Sequence, residues 1–417
     1  MLDEMKERTP VNDTARNVPV VCLLMVVLSF WAVPAVAGGF SQGFQGSTSA
    51  GLSGAVTGRP NMPEAGYYNP AGFAIQDEWG IGVGGSFLFP QVFHEDPETN
   101  TQTRAEVNGA FPPSLHGFGR YGKFAGGLSL GIPYGSGLQW PDDWPGRFEV
   151  TSTSLRVMEA APSVAWRPVD WLAIGGGPRV AWANVSFAQR LDFARPEEEA
   201  RVSLEAATPG FGGQFGVWAQ PLDLLTVGLS WRSAMTLNFA GLAIFEDVPP
   251  EMSGSAHDTT GRTTIILPDR IALGLAYELA ATGFISVDLE YNRWSVFDTF
   301  EVQFDSSDVP DMQEARNWDN TISMRLGVEY ISPFDGLAIR SGFAIDPSPA
   351  PSETLTPAQP DTDRYMISLG AGYRTEPGVQ VDVAYNYITL SRTNSASDFA
   401  GIYDGQVHVF SLSVRAP

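Results

Sequence analysis

In the stretch GFISVDLEYNRW, Ile285, Val287, Leu289 and Tyr291 take every second position, and Ser286, Asp288, Glu290 and Asn292 fill the positions between them. A period of two is the side-chain repeat of a β-strand, whose successive side chains leave opposite faces of the sheet. The same split recurs in VQVDVAYNY, where Val379, Val381, Val383, Tyr385 and Tyr387 stand against Gln380, Asp382 and Asn386, and again in TISMRLGVEY and DRIALGLAYE. One face of each predicted strand is continuously apolar and the other carries charge. Such alternation fits a soluble sandwich as well as a membrane barrel, so the connections must decide.

Fourteen such segments follow one another, from 79–93 to 403–416. The connections after even-numbered segments are short, as in RPVD, QPLD, LAATG, SPFDG and TEPG. Those after odd-numbered ones are mostly long, polar or Pro-rich, as in PYGSGLQWPDDWPG and DPSPAPSETLTPAQPDTD. An even strand count with short turns at one end and long loops at the other is the pattern of an outer-membrane barrel with its short end in the periplasm. The predicted fold is all-β, a transmembrane antiparallel β-barrel of about 14 strands. Trp166 and Trp171 flank one short turn, while Trp294 and Trp318 lie nearer the long loops. They are expected in the aromatic girdles at the two membrane interfaces.

Composition narrows the partners. A formal charge of −22 argues against nucleic acid, and 17% charged residues with 44 Gly and 12% aromatics suits a membrane β-barrel. The apolar stretch from Val18 ends in AVA, with Ala35 and Ala37 at the spacing of a secretory signal cleaved after Ala37. An uncleaved membrane anchor is the alternative. The expected organisation is a signal peptide at 1–37, a separate N-terminal segment at 38–77 and the barrel at 78–417. It places the protein in the outer membrane of a Gram-negative bacterium.

Little in the chain speaks for catalysis. Cys22, the one cysteine, lies in the leader, which leaves no disulfide, zinc or thiol chemistry to the rest. The four histidines, 94, 116, 257 and 408, sit in no nucleophile motif, and Ser411 and Ser413 near His408 do not imply a triad. Glycine clusters in GIGVGGSF and AIGGGPRV lie inside alternating stretches and read as bulges or close backbone approach. RPEEEA and DVPDMQE lack calcium-loop spacing. No enzyme, cofactor or metal is expected.

From Gly38 onward the chain resembles the FadL-type family of outer-membrane transporters for long-chain fatty acids and other hydrophobic compounds. The resemblance rests on GGFSQGFQGSTSAGLSGAVTG, YYNPAGFA, PYGSGLQWPDDWPGRF, LPDRIALGLAY, RNWDNTISMRLGVEY, IRSGFAIDPSPAP and QPDTDRYMISLGAGY, met in that order. It implies a barrel whose N-terminal segment fills the lumen as a hatch, or plug. Phe40, Phe44, Asn69, Pro70 and Ala71 would be the gating residues on that view. Proline fixes φ and lacks an N–H while asparagine closes turns with its side chain, so Asn69–Pro70 makes a rigid corner. The chain departs from common barrel practice in ending VHVFSLSVRAP, with Phe410 short of the terminus, which leaves the last strand's extent open.

Candidate binding residues fall in two sets. Tyr134, Leu138, Trp140 and Trp144 in the loop after the third segment, and Leu242, Ile244 and Phe245 in the loop after the seventh, would make an exposed groove for a greasy ligand; loops packed on one another are the alternative. Arg232, Arg270, Arg325, Arg340, Arg364 and Arg374 face inward if the apolar faces look outward, opposite Glu278, Asp288, Glu290, Glu329 and Asp382. Among them Arg325 and Arg340 are candidates for a ligand carboxylate. The expected function is passive uptake of fatty acids or other small hydrophobic compounds by a monomer sitting in outer-membrane lipid. A general porin for polar solutes is the alternative, and the 38–77 segment, which an open pore does not need, separates the two.

Overall fold

The computed structural model describes residues 38–76, 79–106, 109–193, 199–279, 282–334, 336–375, 378–397 and 399–416. The expected leader and its cleavage point lie outside the described residues.

Fourteen strands are built from the alternating segments: β1 (Trp79–Glu95), β2 (Pro113–Tyr121), β3 (Phe124–Gln139), β4 (Ser152–Val169), β5 (Leu172–Asp192), β6 (Glu199–Leu222), β7 (Leu225–Arg232 continued by Met235–Glu246), β8 (Thr259–Leu267 continued by Arg270–Glu278), β9 (Gly283–Asn292), β10 (Thr321–Ile331), β11 (Leu337–Asp346), β12 (Arg364–Arg374), β13 (Gln380–Ser395) and β14 (Gly401–Ala416). Each pairs antiparallel with the next. β14 returns to β1 over the whole run from Ile81↔Ala416 to Glu95↔Ile402, so the sheet closes on itself. That long pairing fixes the extent of the last strand, and Phe410 stands beside Phe87 on the outer face.

The outer face is the apolar one. Along a row of directly paired residues, Leu275, Val287, Leu326, Phe343 and Ile367 follow one another across β8 to β12, all at least partly exposed. Such a band is stable only against lipid. Trp79, Tyr121, Phe124, Trp166 and Trp171 ring the short-turn end, with Phe124 stacked on Trp166 at 6.3 Å. Trp294 and Trp318 depart from expectation: both are buried and turned inward, so they belong to no girdle. An arginine at Val287, in the middle of this band, is expected to destabilise the barrel by about 2–4 kcal/mol. Denaturant titration in lipid vesicles measures it, and an unchanged midpoint would show that the face is not lipid-bound.

Polarity reverses part-way up β7. Below the break at Ser233–Ala234, Val227, Leu229 and Trp231 face out and Thr226, Ser230 and Arg232 are buried; above it, Thr236 and Asn238 face out and Met235, Leu237 and Phe239 are buried. β8 does the same across Pro268–Asp269. Two unpaired residues reset the phase of alternation, and the strands continue out of the lipid with a dry interior and a wet exterior.

Inside the ring lies the segment 38–76. It holds two one-turn helices, α1 (Ser47–Ala50) and α2 (Ala65–Tyr68), and a 3-10 turn, Pro70–Ile75, and nearly all its residues are buried. Short turns suit a chain that must bond sideways to the wall. Asp288 of β9 accepts the N–H groups of Val56 and Thr57 at 3.0 and 2.8 Å, Ser286 donates to Ala55 O at 2.7 Å, and Gln214 of β6 donates to Gly66 O at 2.8 Å. Wall glycines let the two backbones meet. A Cβ on Gly228 would lie 1.8 Å from Thr57 O, and one on Gly274 2.3 Å from Gly58 N.

Candidate functional site

The turn YYNPAGFA is the point at which the inner segment is fastened to the wall. Asn69 Oδ1 accepts Ala71 N at 3.2 Å, closing the turn locally. Its Nδ2 donates to Thr57 O at 3.1 Å within the segment and to Val217 O of β6 at 2.9 Å. Pro70 opens the 3-10 turn, where its missing N–H costs nothing, and Ala71 packs with Phe73, Ala165 and Trp218. Asn69→Ala abolishes all three bonds and leaves two buried carbonyls short of a donor. The expected cost is about 1–3 kcal/mol of local stability, read as faster amide exchange in residues 55–75 with the barrel's own protection unchanged. Uniform loss of protection would show that Asn69 holds the whole barrel instead.

Tyr67 seats two arginines. The guanidinium groups of Arg232 and Arg270 lie 4.4 and 4.8 Å from its ring centre, and Arg232 Nη1 donates to Tyr67 O at 3.1 Å. Glu159 bonds both Arg232 and Arg179, the latter at 2.6 Å from Nη2. Arg340 is equally committed, donating Nε to Glu329 and Nη1 to Asp382, each at 2.7 Å. Breaking such buried pairs is costly; the Glu159 and Arg340 pairs tie wall strands to one another, and the contacts of Arg232 and Arg270 with Tyr67 tie wall to segment. Arg59 of the segment joins in, 3.7 Å from both Glu278 and Glu329.

Arg325 is placed differently. It donates Nη1 to Ser53 O at 3.3 Å, stands 3.6 Å from Glu290, and lines a cavity of about 40 Å³ between segment and wall. Phe44, Tyr67 and Tyr68 close one side; Arg270, Arg364, Met366 and Ile388 form part of the other. A second cavity of about 20 Å³ lies beside Gly39, Leu138, Gln359 and Asp361, and Arg364 lines it too. Asp361, in the loop before β12, accepts Gly39 N at 3.1 Å and pairs with Arg364. Burial pushes its carboxyl up to about 6 against the pull of that arginine.

The remaining candidates divide among separate clusters. Tyr134 and Leu138 lie on β3, which runs on to Gln139, and not in the following loop. Tyr134 packs with Phe40, whose ring sits 5.8, 5.3 and 5.5 Å from Trp294, Phe297 and Trp318. Trp140 and Trp144 are in the loop but almost wholly buried, stacked at 4.5 Å and packed with Phe44 and Leu138. Trp140 Nε1 donates to Pro357 O at 3.1 Å, so this loop is capped by the one before β12. Leu242, Ile244 and Phe245 belong to β7, not to a loop; Leu242 and Ile244 face outward above the lipid band, and Phe245 packs near Phe304. Among the described residues the two sets fall in separate clusters, and the loop after β3 packs on the one before β12. Sequence reasoning passed over Glu159, Arg179 and Asp361, which carried no pattern of their own.

The family model described as "Outer membrane protein transport protein (OMPP1/FadL/TodX)" matches residues 28–416. The chain belongs to this family. Among OMPP1/FadL/TodX relatives, outer membrane protein P1 of Haemophilus influenzae is 24% identical over 68% of this chain and 67% of its own length. The long-chain fatty acid transport protein of Salmonella typhi is 24% identical over 84% of this chain and 88% of its own. A Pseudomonas aeruginosa FadL homologue has the same fold, with a TM-score of 0.81 at 21% identity over 91% of this chain and 99% of that one. The P. putida toluene transporter TodX superposes with a TM-score of 0.74 at 14% identity, covering 89% and 98%. The protein is thus an outer-membrane β-barrel transport protein of the Gram-negative type.

Proposed function

We propose that this protein takes up small hydrophobic or amphiphilic molecules by passive diffusion, with segment 38–76 as the gate. The observation that carries the reading is the cavity between that segment and the wall. There Phe44, Met366 and Ile388 offer an apolar surface beside Arg325, and neither wall nor segment encloses it alone. Its 40 Å³ is far below the ~300 Å³ of an ordinary ligand pocket, so occupancy requires the segment to yield. Relatives named for fatty acid and toluene transport support a hydrophobic cargo. An open porin is disfavoured by the dense bonding of the segment across the lumen.

The test is uptake of labelled palmitate and labelled toluene by cells with and without the protein, set beside conductance in a planar bilayer. Hydrophobe uptake with little ionic conductance is expected. Large steady conductance without hydrophobe uptake would make the protein a porin.

A further inference from the structure

We propose that His94 is the pin that holds the extracellular loops closed over the lumen and that acid releases it; the proposal rests on the uptake function above and names a regulation of it. His94 stands at the upper end of β1, past the lipid band, where the strand pairs on one side with Tyr403 of β14 and on the other with Gln102–Arg104 of the loop that follows it. The residue is only 2% exposed, and four aromatic rings enclose it. Trp140 and Trp144 stand edge-on at 6.4 and 5.7 Å, Phe399 is stacked at 5.1 Å and Tyr403 is tilted at 5.1 Å. The two tryptophans belong to the loop after β3 and Phe399 to the loop between β13 and β14. The loop before β12 is tied to the same cluster: Trp140 bonds Pro357 O, Ser395 donates to Leu355 O at 2.7 Å, and Ala396 N donates to Ser352 O at 2.8 Å. Beneath the cluster lies the cavity beside Gly39, lined by Val92 and Leu138, which precede His94 and Trp140 by two residues on the rising strands β1 and β3. The cluster therefore roofs that cavity.

A neutral imidazole suits this enclosure and an imidazolium does not. The ring bonds to the backbone of Ala400, whereas Nε2 is buried with no partner among the described residues. A Cβ on Gly401 would lie 2.1 Å from Nε2, so backbone closes that side against water. A proton on Nε2 creates a second N–H donor without an acceptor and places a charge where water is excluded. Burial holds the group below the ordinary imidazole value, with the Ala400 carbonyl and Asp96 pulling the other way. The other titratable or charged groups on the packed elements are Tyr403 itself, Glu149, whose charge bears on Tyr403, Arg147, which is spent on Glu199, and Arg104, which lies over Phe93 on the opposite face. Once the loops part, the ring meets water and titrates near its ordinary value of ~6.5. The open form binds the proton more tightly, so closure is fully stable above about pH 6.5 and weakens as the pH falls below it.

The experiment is amide hydrogen exchange of the purified full chain in an uncharged maltoside detergent, read as protection relative to the intrinsic rate at about pH 7.5 and 5.5. Residues 140–151 should lose about three- to tenfold of their protection in acid, tenfold being the limit for a group that titrates near 6.5 only when open. Strands β9 to β12 should keep theirs, which reports that the barrel of each variant is assembled. His94→Phe, which keeps a ring and takes up no proton, should be equally protected at both pH values; His94→Gln should be level too, with less protection. Asp361→Asn should respond as wild type does, which separates His94 from the loop carboxyl that burial lifts to about 6. Uptake of labelled hexadecanol, uncharged throughout this range, should rise in acid in cells carrying wild type and stay level with His94→Phe. Unchanged protection in wild type, a gain of protection in acid, or a response that survives His94→Phe would overturn the proposal. So would hexadecanol uptake that ignores the loosening. Loosening with no hexadecanol uptake at either pH keeps the pin and removes the uptake function.

Discussion

Valine at Gly228 is expected to open the pore to ions while leaving the barrel assembled. The contact that forbids it is between backbones: a Cβ there would lie 1.8 Å from Thr57 O, with Asn69 Nδ2 3.0 Å away. No rotamer relieves a clash with a carbonyl, so residues 56–58 must move off β7 and away from Asp288. Overpacking of this kind costs about 1–3 kcal/mol, and here the cost falls on the segment, which is held to the wall by scattered bonds, not on the continuous ladder of the strands. Single-channel recordings should change from a quiet baseline to frequent openings. Gly126→Val is the control, because a Cβ at Gly126 meets nothing nearer than Ser163 O at 3.9 Å. A quiet trace from Gly228→Val would mean that the segment tolerates displacement without unblocking the lumen.

Deleting Gly39 to Gly58 should have the larger effect, and in two opposite senses. It removes Phe40 from its aromatic nest, Phe44 from the outer cluster and Leu52 and Val56 from the inner one. It also takes away the bonding partners of Asp288 and Arg325. A ring of this many strands without filling holds water, so conductance of small polar solutes should become steady. Uptake of a labelled fatty acid should fall, because the cavity that Phe44 and Gly54 help to line no longer exists. Should uptake rise together with conductance, the segment is an obstruction and no part of the binding site.

The barrel was legible because lipid outside and polar pairing inside impose opposite demands on alternate residues, as Ile285 to Asn292 display. The same logic hid the top of β7. There Thr236 and Asn238 face water while Leu237 and Phe239 face a dry interior, so a reader counting apolar residues as outward ends the strand early and assigns Leu242 to a loop. The inner arginines were visible as charges on the strands' polar face, but which of them is saturated depends on partners far off in sequence, such as Glu159 for Arg232. Likewise Trp140 and Trp144 announce a contact without naming its other side. That side is Pro357 and Phe44, supplied by different ends of the chain.

The seam between β1 and β14 joins Ser86 to Ser411, 325 positions apart, through their hydroxyls and a continuous ladder. A contact so remote in sequence forms late and slowly, and until it forms two strand edges and the apolar band remain open to aggregation. Once zipped in lipid, the ladder has no water with which to exchange its bonds. Such a molecule persists because it unravels slowly, and its lifetime in the membrane is set by a barrier more than by the balance of folded and unfolded forms.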